Sequence, residues 1–137
     1  MKDIIIIGSG PAGLSAAVYG RRAGLDILVI EKEYCGTGQI AESGQVDNYL
    51  GIPGIDGYSL GEKFREHAEN LGTAFLEEEV TKLEQSDGYW KVLLAGGDVL
   101  ETKTVIYAAG ASHRHLNVPG EDKLSGRGVS YCATCDG

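Results

Sequence analysis

Cys132 and Cys135 lie three positions apart in the segment Tyr-Cys-Ala-Thr-Cys-Asp-Gly, residues 131–137, and Asp136 follows the second directly. Two cysteines at this spacing can close a disulfide, because the short loop keeps their Cα atoms within bridging reach. Such pairs can also carry a thiol of lowered pKa, which makes a better nucleophile and leaving group. Asp136 is placed to deliver or remove the proton that thiol–disulfide exchange requires. Zinc is the competing chemistry and needs about four ligands. Cys35, His113 and His115 are the residues that could complete such a set, but the two histidines are two apart, which is not a usual zinc-ligand spacing, and no metal is expected. An exposed, inert pair is the third reading. Cys35, the odd one of three cysteines, reads as a bystander.

The second set of chemistry-bearing residues lies at the other end. Gly8-Ser9-Gly10-Pro11-Ala12-Gly13 fits G-x-G-x-x-G, follows an apolar run and opens a helical pattern, and Glu31 falls at the end of the next apolar run. That context is the dinucleotide fingerprint. Gly8 permits the tight turn, Gly10 clears a side chain from the approach of a diphosphate, and Gly13 lets helix and strand pack closely. The amides at the helix start attract the diphosphate. Glu31 would accept a hydrogen bond from a ribose hydroxyl, and its charge would repel a 2′-phosphate, so NADP is not expected at this site. FAD and NAD both use the fingerprint, and the sequence that follows has to decide between them.

The elements that must position these residues are legible in outline. Residues 3–8, Asp-Ile-Ile-Ile-Ile-Gly, form a β-branched run typical of a strand buried on both faces of a parallel sheet. Residues 11–24 read as a helix: Pro11 suits the first position, Ala12, Ala16 and Gly20 make a thin face, and Gly24 suits the residue after the end. Residues 26–31 read as a second buried strand, which completes a βαβ opening. From Lys32 to Gly57 there is a Gly-rich polar stretch without periodicity, and a loop of that length is usually functional. Residues 59–72 restore helical spacing through Leu60, Phe64, Ala68 and Leu71, with Ser59 and Glu62 as a capping box. A short strand near 74–76 and a β-meander follow, with turns at Ser86-Asp87-Gly88 and Gly96-Gly97-Asp98 and with Trp90 and Val92 on one face. The meander leads to a further buried parallel strand, residues 104–110, ending in Ala108-Ala109-Gly110. The acidic run Glu77–Glu79 reads as a solvated edge.

Composition excludes several classes of function. A net charge of −8 argues against nucleic acid or an anionic membrane as partner, since both call for a basic face. The opening apolar run is too short for a signal segment or membrane span, and the chain is expected to be soluble and cytoplasmic. Glycine makes up 21 of 137 residues, about twice the average usage of roughly 7%. The glycines cluster at turns, as expected of a backbone that bends tightly or approaches a ligand closely.

Five stretches, residues 4–31, 38–54, 63–72, 108–121 and 126–137, resemble in order and spacing the low-molecular-weight thioredoxin reductases. The long polar loop and meander before the return to the sheet likewise resemble the FAD half of two-dinucleotide-domain flavoproteins, which favours FAD over NAD. The resemblance implies an α/β, Rossmann-like FAD-binding domain with a parallel sheet, a crossover helix and an inserted β-meander. It implies a homodimeric thioredoxin-disulfide reductase that passes electrons from NADPH through FAD and a Cys132–Cys135 disulfide to thioredoxin or a thioredoxin-like protein. Carried onto matching positions, Cys135 faces the flavin, Cys132 attacks the partner disulfide, and Asp136 is the acid–base group. The residues expected to contact the cofactor are Gly8, Ser9, Gly10, Pro11, Ala12, Gly13, Glu31, Lys32, Gly38, Gln39, Asn48, Val80, Ala108, Ala109 and Gly110.

Residues 1–118 are expected to form the FAD-binding part, and residues 119–137 the linker and the start of a nicotinamide-binding domain that would continue beyond this sequence. Thr37-Gly38-Gln39 stands where the family usually has Gly-Gly-Gln, and Ala108-Ala109-Gly110 where it has Ala-Thr-Gly. Close variants of the plan are a ferredoxin-dependent flavin thioredoxin reductase and an FAD-binding module inactive by itself.

Overall fold

The computed structural model describes residues 1–34 and 38–134. Expectations for Cys35, Thr37, Cys135 and Asp136 therefore lie outside the described residues. The chain begins with β1 (Lys2–Ile7), α1 (Pro11–Arg22) and β2 (Ile27–Glu31). A 3-10 turn at Gly38–Glu42 precedes α2 (Gly57–Asn70) and β3 (Ala74–Glu77). The antiparallel arm is β4 (Val80–Ser86), β5 (Tyr89–Leu94) and β6 (Val99–Tyr107), and α3 (Glu121–Leu124) is a single late turn.

All six strands form one sheet in the order β3-β2-β1-β6-β5-β4. The β3-β2-β1-β6 side is parallel and the β6-β5-β4 side antiparallel. The α/β, Rossmann-like class is as the sequence indicates. β6 differs from expectation: the last meander strand and the strand at 104–110 are one element, which pairs with β5 through Leu93↔Val99 to Trp90↔Thr102 and with β1 through Lys2↔Thr102 to Ile7↔Tyr107. Thr102 is the crossing point, fully buried, with its hydroxyl 3.2 Å from the Lys2 carbonyl and 3.0 Å from that of Thr104. The end of this strand is also less buried than a central parallel strand should be: Tyr107 is 73% exposed, because α1 packs on β1 and β2 and leaves β6 at the margin.

The isoleucine run of β1 feeds two cores by strand alternation. Ile6 joins Leu14, Ala17, Ile27, Val29 and Ala68 on the helix side. Ile5 and Ile7 join Ile30, Val92 and Leu94 on the other, so the antiparallel arm covers the face opposite the helices. Each buried Ile, Leu or Val among them contributes about 1.5–3 kcal/mol relative to exposure.

The stripe of α1 that meets the sheet is Gly13, Leu14, Ala17 and Gly20, whereas Ala12 is exposed and Ala16 half-buried; the thin face is rotated one position from the expected one. Pro11 does open the helix, and Gly24 follows its end at φ 77°. α2 starts two residues earlier than expected, because Asp56, not Ser59, is its cap: the Asp56 carboxylate accepts from the Ser59 amide at 2.8 Å. The long loop is partly ordered by the 3-10 turn and an antiparallel bridge between Val46 and Ile55.

Candidate functional site

The carboxyl ends of β1, β2 and β6 meet at one edge of the sheet, and the chain leaves β1 there through Gly8. Its amide donates to the Ile30 carbonyl at 2.8 Å, and the Ala108 amide donates to Ile7 at 2.8 Å. Gly8 has φ 105°, a conformation that side chains rarely adopt, and a methyl group on it would collide with the Ala108 carbonyl. One at Gly13 would collide with the Gly8 carbonyl. These two glycines are therefore required by the fold itself. Gly10 is different: its φ of −70° suits any residue, and a methyl there would meet none of the described residues within 4 Å. What it faces is open space in front of the first turn of α1, where amides lack intrahelical partners.

That space is part of a cleft of about 730 Å³, within the range of roughly 300–1,000 Å³ common for small-molecule sites. Gly8, Ser9 and Gly10 form one wall, Glu31, Lys32 and Gly38 a second, and Ala108, Ala109 and Gly110 a third. Val80 lines it as well, together with Thr81, Lys82 and Leu83 of β4. Gln39 ties the loop to the strand end by donating from Nε2 to the Ala111 carbonyl at 2.6 Å. Gly13 is buried beneath the turn, and Pro11 and Ala12 are exposed on the first turn of the helix. Asn48 is exposed in the turn closed by the Val46–Ile55 bridge and does not line the cleft.

Glu31 is buried at the end of β2, and both its oxygens accept from Nη1 of Arg65 at 2.8 Å. Burial of the Arg65 guanidinium works to lower its pKa, but bonds to Glu31 and Glu69 outweigh that and the net shift is upward. The pairing offsets part of the Glu31 charge, while Glu33, Glu78 and Glu79 line the same cleft. Sequence reading missed Arg65, which lies beside the apolar stripe of Leu60, Phe64 and Ala68 and meets a partner 34 positions away that no local pattern marks.

The cysteine segment is held by a separate cluster. Glu121, 4% exposed, accepts from the amides of Leu116 and Asn117 at 2.8 and 2.6 Å and from the Tyr131 hydroxyl at 2.6 Å. The Tyr131 bond and then the amides hold the Glu121 carboxyl at about 2, and the same bond pushes the Tyr131 phenol up to about 12. The Tyr131 ring stacks on His113 at 3.8 Å between centroids, with His115 edge-on at 5.5 Å. Thus the two histidines considered as metal ligands contact an aromatic ring, and among the described residues no group of three or more His, Cys, Asp or Glu could hold a metal. Cys132, next along, is disulfide-bonded and half-buried. The Ser130 hydroxyl bridges its backbone, donating to the Cys132 carbonyl at 3.0 Å and accepting from its amide at 3.1 Å. No residue of this segment lines the cleft among those described.

Residues 2–137 match the model of the pyridine nucleotide-disulphide oxidoreductase family. The chain belongs to that family. It is 46% identical over 135 residues to the thioredoxin reductase of Bacillus subtilis, covering 98% of this chain and 42% of that protein. Against the thioredoxin reductase of Ureaplasma parvum the identity is 44%, over 98% of this chain and 43% of that protein. The crystal structure of thioredoxin reductase from Streptococcus pyogenes superposes with a TM-score of 0.88 at 42% identity, over 99% of this chain and 44% of the other. The chain thus spans less than half the length of the relatives it matches. No helix among the described residues is long and apolar enough to cross a membrane.

Proposed function

We propose that this chain is the FAD-binding part of a thioredoxin-disulfide reductase. The observation that carries the reading is the cleft in front of α1, where Gly10 leaves open space that folding does not require. FAD fits the residues present: the first-turn amides and Gly10 would hold the diphosphate, Glu31 and Lys32 the adenosine ribose side, and Gly38, Gln39, Val80 and Ala108–Gly110 the remainder. The family match and the thioredoxin reductases among the relatives support this reading over NAD at the same fingerprint. When bound, FAD supplies two-electron transfer between a nicotinamide, here NADPH, and a disulfide.

The chain's own residues do the rest. Cys132 as thiolate attacks one sulfur of the thioredoxin disulfide, forms a mixed disulfide and releases the other sulfur as a thiolate. Cys135 then attacks the Cys132 sulfur, which frees the second thioredoxin thiol and restores the Cys132–Cys135 disulfide. Asp136 moves the protons these steps require. Residues 1–118 form the flavin part and residues 119–137 lead into a nicotinamide-binding part. The complete protein works as a cytoplasmic homodimer, and the 137 residues alone hold FAD weakly or not at all and do not turn over thioredoxin. Cys135→Ser is expected to abolish thioredoxin reduction in the complete enzyme while flavin stays bound. Retained turnover would remove Cys135 from the mechanism.

A further inference from the structure

Arg65 stands behind Glu31 and does not itself line the cleft. Its Nη1 reaches both Glu31 oxygens at 2.8 Å, and its Nε is fixed on Glu69 at 2.8 Å. The guanidinium carbon lies 4.1 Å from the centre of the Phe75 ring and 4.7 Å from that of Tyr34. Arg65 is 8% exposed and Glu31 4%. A buried ion pair of this kind is weak evidence for stability, because desolvation offsets most of the attraction. Its position at the cleft suggests another use.

The surroundings of Glu31 are acidic. Glu77 is its register partner on β3, and Glu33, Glu78 and Glu79 lie along the same edge. The Lys32 ammonium is engaged by Glu79 at 3.0 Å, and among the described residues Arg65 is the cation bonded to Glu31. An ionised carboxylate has about four acceptor sites. Arg65 uses one on each oxygen, and Glu31 still lines the cleft where the hydroxyls of a ribose would lie.

We propose that Arg65 is a positioning residue for nucleotide recognition, holding the Glu31 carboxylate at the cleft in the orientation that accepts the vicinal hydroxyls of an adenosine ribose. This rests on the dinucleotide reading of the cleft and extends it to a residue outside the fingerprint. Arg65 acts on ribose recognition and not on the diphosphate, which lies with α1.

The test is the binding of ADP and of 2′,3′-dideoxy-ADP to the intact protein, measured by calorimetry at one pH and ionic strength. The wild type is expected to favour ADP by about tenfold or more, as hydrogen bonds to a charged group should give. In Arg65→Met that preference is expected to fall to within about twofold, with dideoxy-ADP affinity unchanged. Arg65→Lys, which keeps the charge but loses the rigid fork, is expected to fall between, and decides the matter if the methionine variant does not fold. An undiminished preference in either variant overturns the proposal, as does an equal loss of both ligands, the signature of a merely structural role. A wild type that binds both equally overturns it too. A wild type that binds neither overturns the dinucleotide reading itself.

Discussion

Replacing Gly10 by alanine separates what the fold needs from what a ligand needs. The backbone there, at φ −70° and ψ 179°, is one alanine adopts freely, and the added methyl would meet no atom of the described residues within 4 Å. Without ligand the substitution removes about 0.4–1 kcal/mol of unfolded-chain entropy, but Gly10 is the N-cap of α1, where alanine is disfavoured by a similar amount, so Tm should stay nearly unchanged. With ligand the methyl stands between the first-turn amides and the diphosphate. Losing one hydrogen bond to a charged group costs about 1.5–3 kcal/mol, or roughly 10–150-fold in affinity. Differential scanning calorimetry of the apoprotein and titration with FAD read the two quantities separately. The expected result is a nearly unchanged Tm together with at least tenfold weaker FAD binding. Wild-type affinity in Gly10→Ala would refute the reasoning, because Gly10 would then face nothing that matters.

Gly8→Ala should behave in the opposite way: φ 105° and the collision with the Ala108 carbonyl together should cost about 2–4 kcal/mol and lower Tm by about 6–15 °C, read by thermal melting. Leu60→Ala, at a fully buried position, should cost about 2–5 kcal/mol in urea unfolding without changing the slope. The pH dependence follows from Glu121, whose folded pKa of about 2 is below its ordinary value of 4.5. Its stabilisation is present above about pH 4.5 and is lost as pH falls toward 2, so Tyr131→Phe should raise the acid midpoint of unfolding. Tyr131 itself, raised from 10.0 to about 12, stabilises below pH 10 and loses that contribution between pH 10 and 12; the alkaline limb should flatten in the same variant.

Much of this site was readable from local patterns. The isoleucine run, Pro11 and the three glycines specify the βαβ opening, because each acts through its own backbone or its immediate neighbours. Gly8 and Gly13 are needed where strand end and helix start touch, whereas Gly10 faces open space among the described residues. The misreadings share a cause, which is dependence on residues distant in sequence. The continuity of β6 through Thr102 requires β1 on one side and β5 on the other, and no local period shows that a strand changes partners. Asp56 took the α2 cap from Ser59 because its side chain reaches the Ser59 amide, a choice that the capping pattern alone left open. Arg65 pairs with Glu31 across 34 positions, and Glu121 with Tyr131 through a turn, so neither pairing has a spacing rule to reveal it.

The most direct test is calorimetric titration of the intact protein with FAD and, separately, with FMN, which lacks the adenylate portion and so the second phosphate and the adenosine ribose that the fingerprint and Glu31 are proposed to hold. One FAD per chain, with FMN at least a hundredfold weaker, is the expected result. No FAD uptake, or equal affinity for FMN, would contradict a diphosphate site at the start of α1.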